Sequence, residues 1–179
     1  MTTARLIAAA LAISAAGALP AAAQEVYLGA SFHGVDLPTS IDTGERGHDL
    51  QAGIRSAPIA GLRGIGAPSA YLHGQLSLNG ETSIAAAGLS WKLGKGKVYL
   101  RPGIGLAVNT GQIPRYDSTG LRLDLGSRIT FEPELALGVR IDPKIALEAS
   151  WVHVSHATLL SGQNPGMDFI GARVVVGLK

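Results

Sequence analysis

The chain has 179 residues, no cysteine and a formal net charge of +2, from 15 Lys and Arg against 13 Asp and Glu. That composition excludes disulfides and thiolate metal sites, and so slight a positive balance is not the footprint of a nucleic-acid binder. With 24 glycines and 46% hydrophobic residues, the apolar residues are distributed in a way that a large soluble core does not explain.

Residues 1–23 read as a secretory signal peptide. Arg5 supplies a positive start, Leu6 to Leu19 an apolar Ala-rich stretch, and Ala21, Ala22 and Ala23 small residues before a cleavage point. The segment is short for a membrane anchor, the other reading. Removing Arg5 lowers the net charge to about +1, leaving residues 24–179 as one expected domain. Beyond the leader no run of about 18 apolar residues occurs, so no transmembrane helix is expected.

Turn signals then cut the chain into eight segments of period-two alternation, expected as strands over 25–34, 47–56, 69–79, 81–93, 97–109, 127–141, 144–157 and 168–178. Asn79-Gly80, Gly94-Lys-Gly96 and Asp142-Pro143 are hairpin turns by composition. Longer connections run through 35–46, 57–68, 110–126 and 158–167. Each strand has one apolar and one polar face. In 127–141, Ile129, Phe131, Pro133, Leu135, Leu137, Val139 and Ile141 oppose Arg128, Thr130, Glu132, Glu134, Ala136, Gly138 and Arg140.

A soluble lipocalin-like barrel would turn the apolar faces inward, whereas a transmembrane barrel turns them to lipid. Strands of about 10 residues suit a tilted crossing. Charges alternating with Gly and Ala suit a narrow lumen, and eight is the smallest even count for a closed membrane barrel. The expected fold is therefore all-β: an eight-stranded antiparallel outer-membrane barrel. Loop lengths place 35–46, 110–126 and 158–167 outside the cell. Tyr27, Trp91 and Tyr99 are expected as an aromatic girdle at the inner rim. Arg101, Arg128, Glu132, Glu134 and Arg140 are expected as a lumen ion network.

On this topology His153 and Ser155 share the lipid-facing parity of Ile145, Leu147 and Trp151, near the outer end of their strand. A register that pairs Trp151 with Ile170, Leu147 with Val174 and Glu148 with Arg173 sets His153 opposite Asp168. A nucleophile (Ser155), a general base (His153) and an orienting acid (Asp168) at the outer rim form a hydrolytic layout. Asn164 would be an oxyanion donor. Side chains at a barrel rim also meet lipid headgroups, so a non-enzymatic barrel serving adhesion or membrane integrity is the alternative. His73 is expected in the lumen, His33 and His48 at loops or rim, with no ligand cluster for a metal and no cofactor.

The segment His153-x-Ser155-x-Ala157, Asn164-Pro165-Gly166-x-Asp168 and Ile170-Gly171-x-Arg173 resembles the lipid A 3-O-deacylase family of outer-membrane barrels. The match covers roughly residues 148–175. The resemblance implies a serine esterase, without metal, that releases the acyl chain ester-linked at the 3-position of lipid A. Its implied partner is lipopolysaccharide in the outer leaflet of a Gram-negative outer membrane; a homodimer is left open. The family's His and Ser map to His153 and Ser155, and its acidic member to Asp168. Two positions depart from the family pattern: His156 stands where Asn usually follows the serine, and Asp168 where Glu is common. A ring nitrogen of His156 could take over the auxiliary donor role.

Overall fold

The computed structural model describes residues 23–111, 125–160, 162 and 164–178. Eight strands alternate with short connections: β1 (Ala23–His33), β2 (Gly47–Pro58), β3 (Ser69–Ser77), β4 (Ile84–Ser90), β5 (Val98–Asn109), β6 (Ile129–Arg140), β7 (Ile145–Val154) and β8 (Met167–Gly177). Each pairs antiparallel with the next, and β8 closes on β1, giving the expected closed barrel. The expected leader lies outside the described residues, apart from Ala23, which already pairs with Ser56. Most of the external connection 110–126 lies outside them too.

The faces are inverted relative to a soluble barrel. Leu28 is 63% exposed and Leu106 56%, while Arg55 and Arg101 are each 1% exposed. Apolar side chains thus form the outer wall, which suits lipid, and the soluble alternative is set aside. Buried charges require partners, and the lumen supplies them. Glu148 accepts from Arg55 at 3.1 Å, Arg101 at 3.1 Å, Arg173 at 2.8 Å and the Tyr99 hydroxyl at 2.8 Å. Arg173 also reaches Glu134 at 3.0 Å, and the Tyr71 hydroxyl donates to Glu132.

Several expectations are corrected. Tyr27 and Tyr99 are no girdle: they point inward, 4% and 2% exposed, into space left by Gly53 and Gly138. Arg128 and Arg140 sit at opposite rims, bonding the Gly111 and Gly94 carbonyls, outside the lumen network. β4 is shorter than 81–93, and β7 stops before Ser155 rather than continuing to 157. The long inner connection 57–68 holds a short 3-10 helix (Ala60–Ile65), whose Ile65 carbonyl receives the Trp91 indole N–H at 2.7 Å.

The β7–β8 register is the expected one. Trp151 faces Ile170, Leu147 faces Val174, Glu148 faces Arg173 and His153 faces Asp168.

Candidate active site

The site starts where β7 loses its ladder. β6 and β7 pair continuously up to Glu134 and Val152, and one isolated bridge follows between Phe131 and Ser155. On that register Pro133 stands across from His153, and proline has no N–H for the ladder. Ser155 is re-secured by two backbone bonds, Ser155 N to Phe131 O at 3.1 Å and Phe131 N to Ser155 O at 2.7 Å. It therefore keeps the outward parity of Phe131, a residue of the lipid-facing wall.

His153 is buried, its Nδ1 2.9 Å from Asp168 Oδ1. An Nδ1–H held by a carboxylate leaves Nε2 as the basic nitrogen. Asp168 is fully buried and accepts from further donors: the Trp151 indole N–H on Oδ1 and the Thr39 hydroxyl on Oδ2, both at 2.7 Å, with the Ser40 side chain bonding it as well. Trp151 also stacks on the His153 ring, with centroids 6.0 Å apart and planes at 26°.

Ser155 is half-buried, and no hydrogen bond joins it to His153 among the described residues. Residues two apart on one strand face lie roughly 6.5–7 Å apart along the chain, so a rotamer change brings the hydroxyl toward the imidazole. Catalytic hydrogen bonds are commonly open before substrate arrives.

The loop after Ser155 is ordered by the next residue. The His156 backbone N–H donates to Asn164 Oδ1 at 2.9 Å, its carbonyl takes the Leu159 N–H at 2.9 Å, and its Nδ1 faces the Leu160 N–H at 3.4 Å. His156 is fully buried. Its Nδ1 is an acceptor within the loop, which leaves Nε2 as the ring nitrogen that carries the proton. The Asn164 oxygen being engaged, its amide Nδ2 is the end of that side chain left for another acceptor. Ala157 and Thr158 complete the turn in the left-handed region, at φ 53° and 58°.

The β1–β2 connection was not expected to take part, yet it reaches the site. Val35 N–H donates to the Asp168 carbonyl at 2.9 Å and Ile41 N–H to the Pro165 carbonyl at 2.7 Å, with Thr39 between them. Its return leg is fixed in the barrel mouth by Glu45, which accepts the Thr82 hydroxyl at 2.9 Å and the Thr82 N–H at 2.8 Å. The oxygen that accepts the Thr82 N–H, Oε2, also lies 2.9 Å from His33 Nε2, while His33 Nδ1 lies 2.9 Å from Asp49. His33, the last residue of β1, is thus a buried residue at the barrel rim, one of the two placements expected for it. Burial opposes ionisation of Glu45, but hydrogen bonds from His33 and Thr82 outweigh it and hold the carboxyl below its ordinary 4.5.

The family described as lipid A 3-O-deacylase (PagL) matches this chain over residues 57–176, a span that includes β3 to β7, Ser155 and nearly all of β8. The chain belongs to the lipid A 3-O-deacylase family. Two solved structures share the barrel fold. The outer membrane enzyme PagL has 14% identity and a TM-score of 0.57, covering 88% of this chain and 100% of that one. Neisserial surface protein A (NspA) has 12% identity and a TM-score of 0.54, covering 86% and 96%. At those identities both establish the fold alone. Among curated proteins, none matches the chain. As a deacylase-family barrel, the chain is a protein of the Gram-negative outer membrane.

Proposed function

We propose that this barrel is a serine esterase that removes the 3-O-linked acyl chain of lipid A from the outer leaflet. The observation carrying the reading is the buried Asp168–His153 contact of 2.9 Å on the lipid-facing wall, with Ser155 on the same face one ladder step further out.

The chemistry follows from those positions. Ser155 Oγ attacks the ester carbonyl while His153 Nε2 takes its proton. The carbonyl oxygen becomes an oxyanion, for which the Asn164 amide is the donor at hand. Collapse breaks the ester C–O bond, and imidazolium returns the proton to the departing sugar hydroxyl. Water, deprotonated by the same imidazole, then attacks the acyl-serine, releasing the fatty acid and restoring Ser155. Asp168 holds the imidazole orientation and stabilises its charged form throughout. A wall-facing site suits an ester whose acyl chain already lies in the membrane, because the chain need not leave lipid to reach the serine. No cofactor enters this scheme.

The test is mass spectrometry of lipid A from Gram-negative cells making the wild-type chain or Ser155→Ala. Wild type should remove one 3-O-acyl group and Ser155→Ala none. Equal loss of acyl chain with both sinks the mechanism. The same measurement decides against the alternative of a non-enzymatic barrel, which would leave lipid A intact in either case.

A further inference from the structure

An orienting carboxylate works only if it is itself held. Asp168 sits at a seam between three separately built segments: β8, which carries it, β7, which carries Trp151 and His153, and the β1–β2 connection, which carries Thr39. Both of its oxygens are used: Oδ1 takes the imidazole and the indole, Oδ2 takes the Thr39 hydroxyl, and the neighbouring Ser40 side chain also bonds the carboxylate from the same strap. A carboxylate bonded on one oxygen can rotate about its own Cα–Cβ and Cβ–Cγ bonds. Bonded on both, it is held in one orientation.

We propose that Thr39, together with Trp151, is a positioning residue for the reaction: the two donors clamp Asp168 so that it presents Oδ1 to His153. The inference rests on the reading of Ser155, His153 and Asp168 given above. It makes the β1–β2 connection part of the catalytic apparatus, although that segment lies before residue 57, where the family match begins. The backbone supports such a role. On one side of Thr39 the Val35 N–H is tied to the carbonyl of Asp168 itself, and on the other the Ile41 N–H is tied to Pro165. Thr39 is thereby carried over the carboxylate by bonds that do not involve its side chain, so removing its hydroxyl leaves the strap in place.

The chemistry needs a hydroxyl at 39 and an N–H at 151. Hydrogen bonds to a charged group are the strong ones; loss of one partner of such a bond corresponds to about a tenfold or greater change. The chain, purified and folded in detergent, is assayed on lipid A as wild type, Thr39→Val, Thr39→Ser, Trp151→Phe and Ser155→Ala. Thr39→Val keeps the shape and loses the donor; Thr39→Ser loses a methyl and keeps it. Thr39→Val and Trp151→Phe should each lower kcat about tenfold with KM within twofold of wild type, and Thr39→Ser should retain most of kcat. Should Thr39→Val fail to fold, as judged by heat-modifiable gel mobility, Trp151→Phe against wild type decides the same question from the strand side. The inference is overturned if Thr39→Val keeps full kcat, if Thr39→Ser loses as much as Thr39→Val, or if KM rises while kcat stays. A Ser155→Ala chain that still deacylates refutes the underlying mechanism instead, so the two failures are distinct.

Discussion

The backbone of Gly166 lies against the imidazole of His153. A Cβ at Gly166 would stand 2.8 Å from His153 Cε1 and 3.3 Å from Nε2, and the residue adopts φ +68°. Glycine here does two things: it accepts a left-handed backbone, and it forms the wall of the slot in which the ring sits. Gly166→Ala is expected to push the ring off Asp168. A displacement on the order of 1 Å at a reacting group corresponds to roughly a hundredfold in rate. Deacylation by the variant, measured beside its heat-modifiable mobility, should show a folded barrel with that loss.

Asp168→Asn should be more severe. The amide can still sit between Thr39 and Trp151, but it cannot balance the imidazolium, and it can offer an N–H where His153 Nδ1 needs an acceptor. Activity is expected to fall by about three to four orders of magnitude, with the strand register unchanged. Retention of more than a tenth of wild-type turnover would remove Asp168 from the mechanism.

Inside the barrel, Glu148 is the shared acceptor of three arginines. Glu148→Ala leaves three buried guanidinium groups short of a partner, a change expected to cost about 3–5 kcal/mol. The urea midpoint of unfolding in detergent should drop accordingly. Activity of the surviving folded fraction should be nearly unchanged, because Glu148 faces the lumen and His153 the outer wall.

Glu45 gives the strap a pH limit. Its carboxyl is held below its ordinary 4.5 by hydrogen bonds from His33 and Thr82, against the opposing effect of burial. A depressed folded value stabilises the fold above the unfolded pKa, and that contribution is lost as pH falls through the folded one. The groups packed around it are His33 of β1, Asp49 of β2 and Thr82 of the β3–β4 connection. Below pH about 4.5, amide exchange in residues 34–46 should therefore rise before the barrel opens, and Glu45→Gln should show faster exchange there already at neutral pH. Uniform exchange across all loops would refute the link.

The outer wall and the His153–Asp168 pairing were legible because a strand has a period of two. Once Ile170, Val174 and Val176 were set against Trp151, Leu147 and Ile145, the partner of His153 followed without further choice. Thr39 was not legible. It belongs to a connection without periodicity, and its link to Asp168 spans 129 residues of chain. The tyrosines were misplaced for a different reason. Aromatic residues near strand ends suit a girdle, and Gly on the inward parity suits a narrow lumen. Read singly, neither shows that Gly53 and Gly138 are the recesses for the rings of Tyr27 and Tyr99. His156 could be read as an altered donor beside the serine, but only the turn geometry shows its ring facing the Leu160 N–H.

The arginine–glutamate packing inside the barrel has a consequence for the cell. On the proposed mechanism the reacting groups stand on the outer wall, so catalysis needs no passage through the barrel, where arginines and glutamates bond one another across the lumen. If the proposed site acts in this way, the fatty acid departs sideways into the leaflet, and remodelling surface lipid requires no opening through the barrel.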